Sequence, residues 1–264
     1  RSHGMAIFKS HTGMREWQRV EKSRKLWLVQ FYRDDCSFCE QMADDYIKAA
    51  GQLQVNRLFS HHSRHKPLPH GFTPLHSAAH NGHYEICQLI ISNVDEKNPA
   101  MHDTDDGVTL LHMAASKGHH DICQLIISNL DEKNPARHDG YTPLHVATEK
   151  GHYEICKLII ENVDDNNPAM HDGVTPLHMP AEKGHYEICQ LIISNVNEKN
   201  PAMHDGWTPL HKAVKNGHYE VCQLIISNVN EKNPASHDGF TPLHIATKHG
   251  HYKICNLIEK HLWK

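Results

Sequence analysis

The chain has 264 residues, a low apolar share of 39%, a formal net charge of −4 and a pI of about 6.7, so neither a strongly basic nucleic-acid surface nor an acidic tail dominates it. No apolar run approaches the roughly 18 residues of a membrane span, and Arg1 to Ser10 lacks the apolar stretch of a signal peptide. The odd count is 27 His, as many as Lys and Arg together, which calls for either a metal store or a repeated motif that carries His.

In chain order, residues 1–60 form a separate module. The first seventy residues carry 12 basic against 7 acidic residues, the reverse of the charge balance in the remainder of the chain. Leu26 to Tyr32 predicts a buried strand, followed by Cys36-Ser37-Phe38-Cys39 and a helical stretch over Glu40 to Ala50. Strand, C-x-x-C, then helix resembles the active-site unit of a thioredoxin or protein disulfide isomerase domain, over about Leu26 to Leu53. The resemblance implies Cys36 as attacking thiolate and Cys39 as resolving thiol, the alternative reading being a thiol–disulfide oxidoreductase. Asp34 and Asp35 place negative charge where it raises a thiol pKa, and no room remains for the later strands, so a degenerate fragment or a cap is the expectation. A zinc reading with Cys36, Cys39, His61 and His65 leaves 21 residues between its pairs where about 12 is usual, and no metal site is expected. Residues 61–70 are a polar, Pro-containing linker.

From residue 71 one phrase recurs, opened by Gly71, Gly107, Gly140, Gly173, Gly206 and Gly239 at steps of 36, 33, 33, 33 and 33 residues. It reads G-x-T-P-L-H, five residues, then G-H-Y-E-I-C-Q-L-I-I and an N-P-A-x-H-D linker, and six copies fill 71–264. Thr-Pro supplies an N-cap and a first helical residue, and a Gly eight residues later stops the first helix. Ile86, Cys87, Leu89 and Ile90 give the second helix one wide apolar face, and Asn98-Pro99 ends it. Such a pair cannot bury its own apolar face, so neighbours stack: the fold class is an all-α repeat solenoid with a small N-terminal β-α segment.

The 33-residue period, Gly140 to His145 and Gly151-His152 closely resemble the ankyrin repeat, over about three quarters of the chain. The resemblance implies an L-shaped stack of helix pairs with projecting fingers, and binding of partner proteins along the concave face rather than catalysis. It also implies that the T-P-L-H histidines tie finger to helix, and it raises hydroxylation at Asn98, Asn134, Asn167, Asn200 and Asn233. Two units depart from the phrase: Leu110 replaces the opening Pro of the second, and Pro180 interrupts the first helix of the fourth, predicting a weak point there. Seventeen of the 27 His follow from copying the motif, and the per-repeat Cys read as unpaired thiols on the second helix, an argument for the cytosol or nucleus.

The slots that vary between copies are the candidate reading surface. After the turn Gly stand Phe72, Val108, Tyr141, Val174, Trp207 and Phe240, candidate interface anchors. Near the end of the first helix stand Lys117, Lys150, Lys183, Lys215 and Lys248, with Glu149 and Glu182, making the groove mildly basic; Arg137, Met170 and Met203 vary on the approach to the turn. The expected function is a monomeric, cofactor-free protein-binding module for an acidic or amphipathic segment, with interleaved acids arguing against nucleic acid.

Overall fold

The computed structural model describes residues 74–92, 107–129 and 132–262, and within them the chain folds into twelve helices with no strand. The strand, C-x-x-C motif and helix expected between Leu26 and Ala50, like Phe72 and the linker at 61–70, lie outside the described residues.

The helices come in pairs, one pair per repeat unit. The first, inner helices are α1 (Pro74–Asn81), α3 (Leu110–Lys117), α5 (Pro143–Lys150), α7 (His178–Lys183), α9 (Pro209–Lys215) and α11 (Pro242–His249). The second, outer helices are α2 (Tyr84–Ile91), α4 (His120–Ile127), α6 (Tyr153–Ile160), α8 (Tyr186–Asn195), α10 (Tyr219–Asn228) and α12 (Tyr252–Leu262). Inner helices pack on inner, outer on outer, and each pair on itself, which is the one-dimensional stack that the repeat demands.

Eight residues of helix are too few to persist alone in water, so tertiary burial must hold them. The outer helices α4, α6, α8 and α10 supply that burial with the same stripe, in α6 Ile155, Cys156, Ile159 and Ile160, none more than 5% exposed. Burying one such Ile contributes about 1.5–3 kcal/mol. Inner helices add Leu and Ala, small enough to let neighbours approach closely: Leu144 and Ala147 have no exposed surface. The column of Cys87, Cys123, Cys156, Cys189 and Cys222 lies fully inside this core as free thiols, and burial pushes the first four up to about 12 and Cys222 higher still.

Start and stop signals act as the sequence predicts. Thr142, Thr208 and Thr241 are extended N-caps whose hydroxyls accept the backbone N–H of the His three residues on. Leu110, in place of Pro, still opens a full eight-residue helix and is fully buried. Pro180 has a visible effect. It has no N–H for the carbonyl four residues back, and α7 begins only at His178, leaving Pro176 and Leu177 in a turn. The His178 amide there donates to the Thr175 carbonyl at 2.9 Å instead of the Thr hydroxyl.

Candidate partner-binding face

Between units the chain forms a finger, closed in four successive repeats by the same backbone bonds. Arg137 N–H donates to the Tyr141 carbonyl, Met170 to Val174, Met203 to Trp207 and Ser236 to Phe240, at 2.7 to 2.9 Å. Asp139, Asp172 and Asp205 brace the turn by accepting the N–H two residues on, at 2.9 to 3.0 Å. Fingers also bond to each other: His171 N–H donates to the Asp139 carbonyl, His204 to Asp172 and His237 to Asp205. The finger row is therefore a continuous edge, with Met170 and Met203 held half-buried in it.

The T-P-L-H histidines join these fingers to the inner helices. In His145, Nδ1 accepts the Thr142 backbone N–H at 3.1 Å, which fixes the neutral tautomer with its proton on Nε2, and Nε2 donates to the Val174 carbonyl of the next finger at 3.3 Å. His112 reaches Tyr141 in the same way at 3.0 Å, His178 reaches Trp207 at 3.5 Å, and His211 reaches Phe240 at 3.2 Å. Burial pushes His112, His145 and His178 down to about 4 and lowers His211 as well, so all four stay neutral near pH 7.

On this frame the variable slots converge. Tyr141 stacks on His145 with ring centroids 5.3 Å apart, and the Arg137 guanidinium lies 5.3 Å from its centroid. Its hydroxyl donates to Glu149 Oε2 at 2.5 Å. That bond, with a lesser contribution from Lys150, holds the Glu149 carboxyl below its usual range, whereas burial and then the same carboxylate push the Tyr141 hydroxyl up. Two units on, Trp207 lies tilted over His211 at 5.6 Å, with the ammonium groups of Lys212 and Lys215 at 5.9 and 5.6 Å from its ring. Lys212 also bridges back to Glu182 of the preceding unit at 3.4 Å. Finger residue and helix-end residue, separate slots in the sequence, thus form one cluster in each of these two units.

The rest of the row is less uniform. Phe240 is 50% exposed, Val108 is half-buried, and Val174 is only 8% exposed, so it offers a partner little surface. Tyr141 and Trp207 are half-buried, each ring resting on a histidine of its own unit. Lys117, Lys150, Lys183, Lys215 and Lys248 are all exposed at the inner-helix ends. Sequence reasoning named Asn134, Asn167, Asn200 and Asn233 only as hydroxylation positions and missed what they hold together: their Oδ1 atoms accept the N–H of Leu144, Leu177, Leu210 and Leu243 at 2.9 to 3.1 Å and pin each linker to the next inner helix. Their constant ten-residue spacing from that Leu was the available signal.

A family model described as ankyrin repeats in three copies matches residues 46–135, 96–169, 111–202 and 177–261. The chain belongs to the ankyrin-repeat family. Ankyrin repeats are generally protein–protein interaction modules and typically not enzymes. The match does not reach Cys36 or Cys39, and nothing in it supports a thioredoxin-like fragment. No curated protein matches the chain. Among the described residues of this ankyrin stack no helix is long and apolar enough to cross a membrane, and no three His, Cys, Asp or Glu side chains come together as a metal site.

Proposed function

We propose that this ankyrin domain binds a partner protein through an acidic or amphipathic segment laid along the fingers and inner helices, with Tyr141 and Trp207 as the anchoring pair. The observation that carries the reading is the pair of aromatic–cation clusters, Tyr141 with Arg137 and Trp207 with Lys212 and Lys215, each ring on a histidine support. Aromatic rings held rigid and half-exposed concentrate binding energy at little entropic cost. The exposed lysines flanking them favour an acidic partner and speed its encounter.

Affinity capture with the intact chain tests this against two variants, Tyr141→Ala with Trp207→Ala, and Lys150→Glu with Lys183→Glu and Lys215→Glu. The aromatic variant should lose at least about 2 kcal/mol of binding while its melting temperature falls by only a few degrees. The lysine variant should weaken capture and flatten its salt dependence. Partners retained by both variants at wild-type strength would move the binding surface elsewhere.

A further inference from the structure

The two aromatic clusters follow one plan with opposite charge. The residue that closes on the ring occupies a single slot of the repeat, and that slot holds Ser116, Glu149 and Glu182 in the second to fourth units but Lys215 in the fifth. The slot one helical turn earlier changes at the same place, from Met113, Val146 and Met179 to Lys212. Each choice suits its ring. Tyr141 has a hydroxyl to donate, and Glu149 Oε2 accepts it at 2.5 Å, while Trp207 turns its π-face to cations, with the Lys215 ammonium 5.6 Å from the ring centroid. The fourth unit sets no ring between them. Val174 is 8% exposed, and the half-buried Met170 of its finger and Met179 of α7 give that unit an apolar, adaptable surface.

The clusters differ in how far their charges are already satisfied. In the third unit each charge has a partner: Arg137 pairs with Asp139 at 3.3 Å, and Glu149 is shared between the Tyr141 hydroxyl and Lys150, the latter also at 3.3 Å. The Tyr141 bond, with help from Lys150 and then Lys183, holds the Glu149 carboxyl below its usual range, so a partner's carboxylate laid there meets a like charge. In the fifth unit Lys212 pairs with Glu182 of the preceding unit at 3.4 Å, but the exposed Lys215 ammonium makes no ion pair or hydrogen bond among the described residues. An ammonium has three N–H donors, and lying over a ring leaves them available. The fifth unit therefore offers what the third does not, an unpaired positive charge against an apolar plane. The third, fourth and fifth units all have neighbours on both sides, so this surface belongs to the assembled stack.

We propose that the groove is polarised along the stack: a partner segment lays its apolar side chains over the fourth unit between Tyr141 and Trp207, sets its carboxylate on Lys215 in the fifth, and carries no acidic residue over the third. This rests on the partner-binding reading above and adds to it which unit reads charge. Stacked helices stand about 8–10 Å apart, a distance that about three residues of an extended chain cover, so an acidic residue about three positions from an apolar one reaches both places. At about 0.15 M salt the Debye length is about 8 Å, and Lys150, two units from Lys215, contributes little to that carboxylate.

Fluorescence anisotropy with two labelled, amidated peptides tests the polarity: one of three leucines and three glutamates joined by two glycines, and one with glutamines in place of the glutamates. The 264-residue chain should bind the glutamate peptide more tightly at about 0.15 M salt. Lys215→Gln should weaken the glutamate peptide about three- to fivefold, and more than the glutamine peptide, whereas Lys150→Gln should cost it less than about twofold. Lys215→Glu should reverse the preference, towards a peptide with lysines in place of the glutamates. Tyr141→Ala with Trp207→Ala should weaken both of the first two peptides. Equal affinity for the glutamate and glutamine peptides, or a loss at Lys150 as large as at Lys215, would overturn the polarity, and the binding face would stand if the aromatic variant still weakened both. A chain that binds neither peptide would overturn the polarity and the partner-binding reading together.

Discussion

The neutral imidazole of His145 does three things at once: it closes the inner-helix N-terminus, supports an aromatic ring and reaches the next finger. Its cost is sensitivity to acid. The folded pKa values of His112, His145 and His178, at about 4, lie below the ordinary unfolded value of about 6.5. The unfolded chain therefore takes up protons first, so the stability from these groups is complete above about pH 6.5 and is lost as pH falls through the folded values, at up to about 1.4 kcal/mol per pH unit for each ring. Urea unfolding from pH 7.5 to 5.5 should show a falling midpoint, and a flat or rising one would contradict it. Glycine offers a second residue-scale test. Gly184 has φ of +80° and a Cβ there would stand 2.5 Å from His218 Nδ1, whereas Gly250, at +72°, faces open space. Gly250→Ala should lose only the left-handed strain of about 1 kcal/mol, and Gly184→Ala should lose more because the His218 ring must leave its seat. Equal losses in denaturant titrations would mean that the ring yields freely.

Among the elements, α7 departs most from its siblings, six residues against seven or eight in the other inner helices. Pro180→Ala restores the missing donor in the slot that holds Ala147 and Ala213 in the adjoining units, and should stabilise by about 1 to 3 kcal/mol. Amide exchange in α7 should outpace that in α5 in the parent chain and match it in the variant; equal rates in the parent would remove the weak point. The period, the helix pairs and this interruption were legible because Thr-Pro, Gly and Asn-Pro act on the local backbone, whose rules need no knowledge of neighbours. The site was legible only as a set of varying slots. That Tyr141 meets Glu149, that Trp207 gathers Lys212 and Lys215, and that Val174 sinks inward depend on the angle at which each finger meets the inner helix that follows it, which the residue types alone do not set even where the partners stand within eight residues.

For the whole molecule, stability is close to a sum of unit and joint contributions, so the fourth unit matters beyond its own length: it is where a stack of six most readily opens in two. The thiol column lets that opening be timed. Each unit carries one Cys in the same slot, buried through Cys222 and half-buried at Cys255, and a thiol held near 12 shows almost no thiolate to a reagent until its unit opens. With Cys36 and Cys39 replaced by Ser, labelling followed by mass spectrometry should modify Cys255 first and Cys189 before Cys156; the reverse order for the latter pair would place the opening elsewhere. Duplication has thus left the molecule with an internal clock in every unit, and the order in which the six stop records the route by which the stack comes apart.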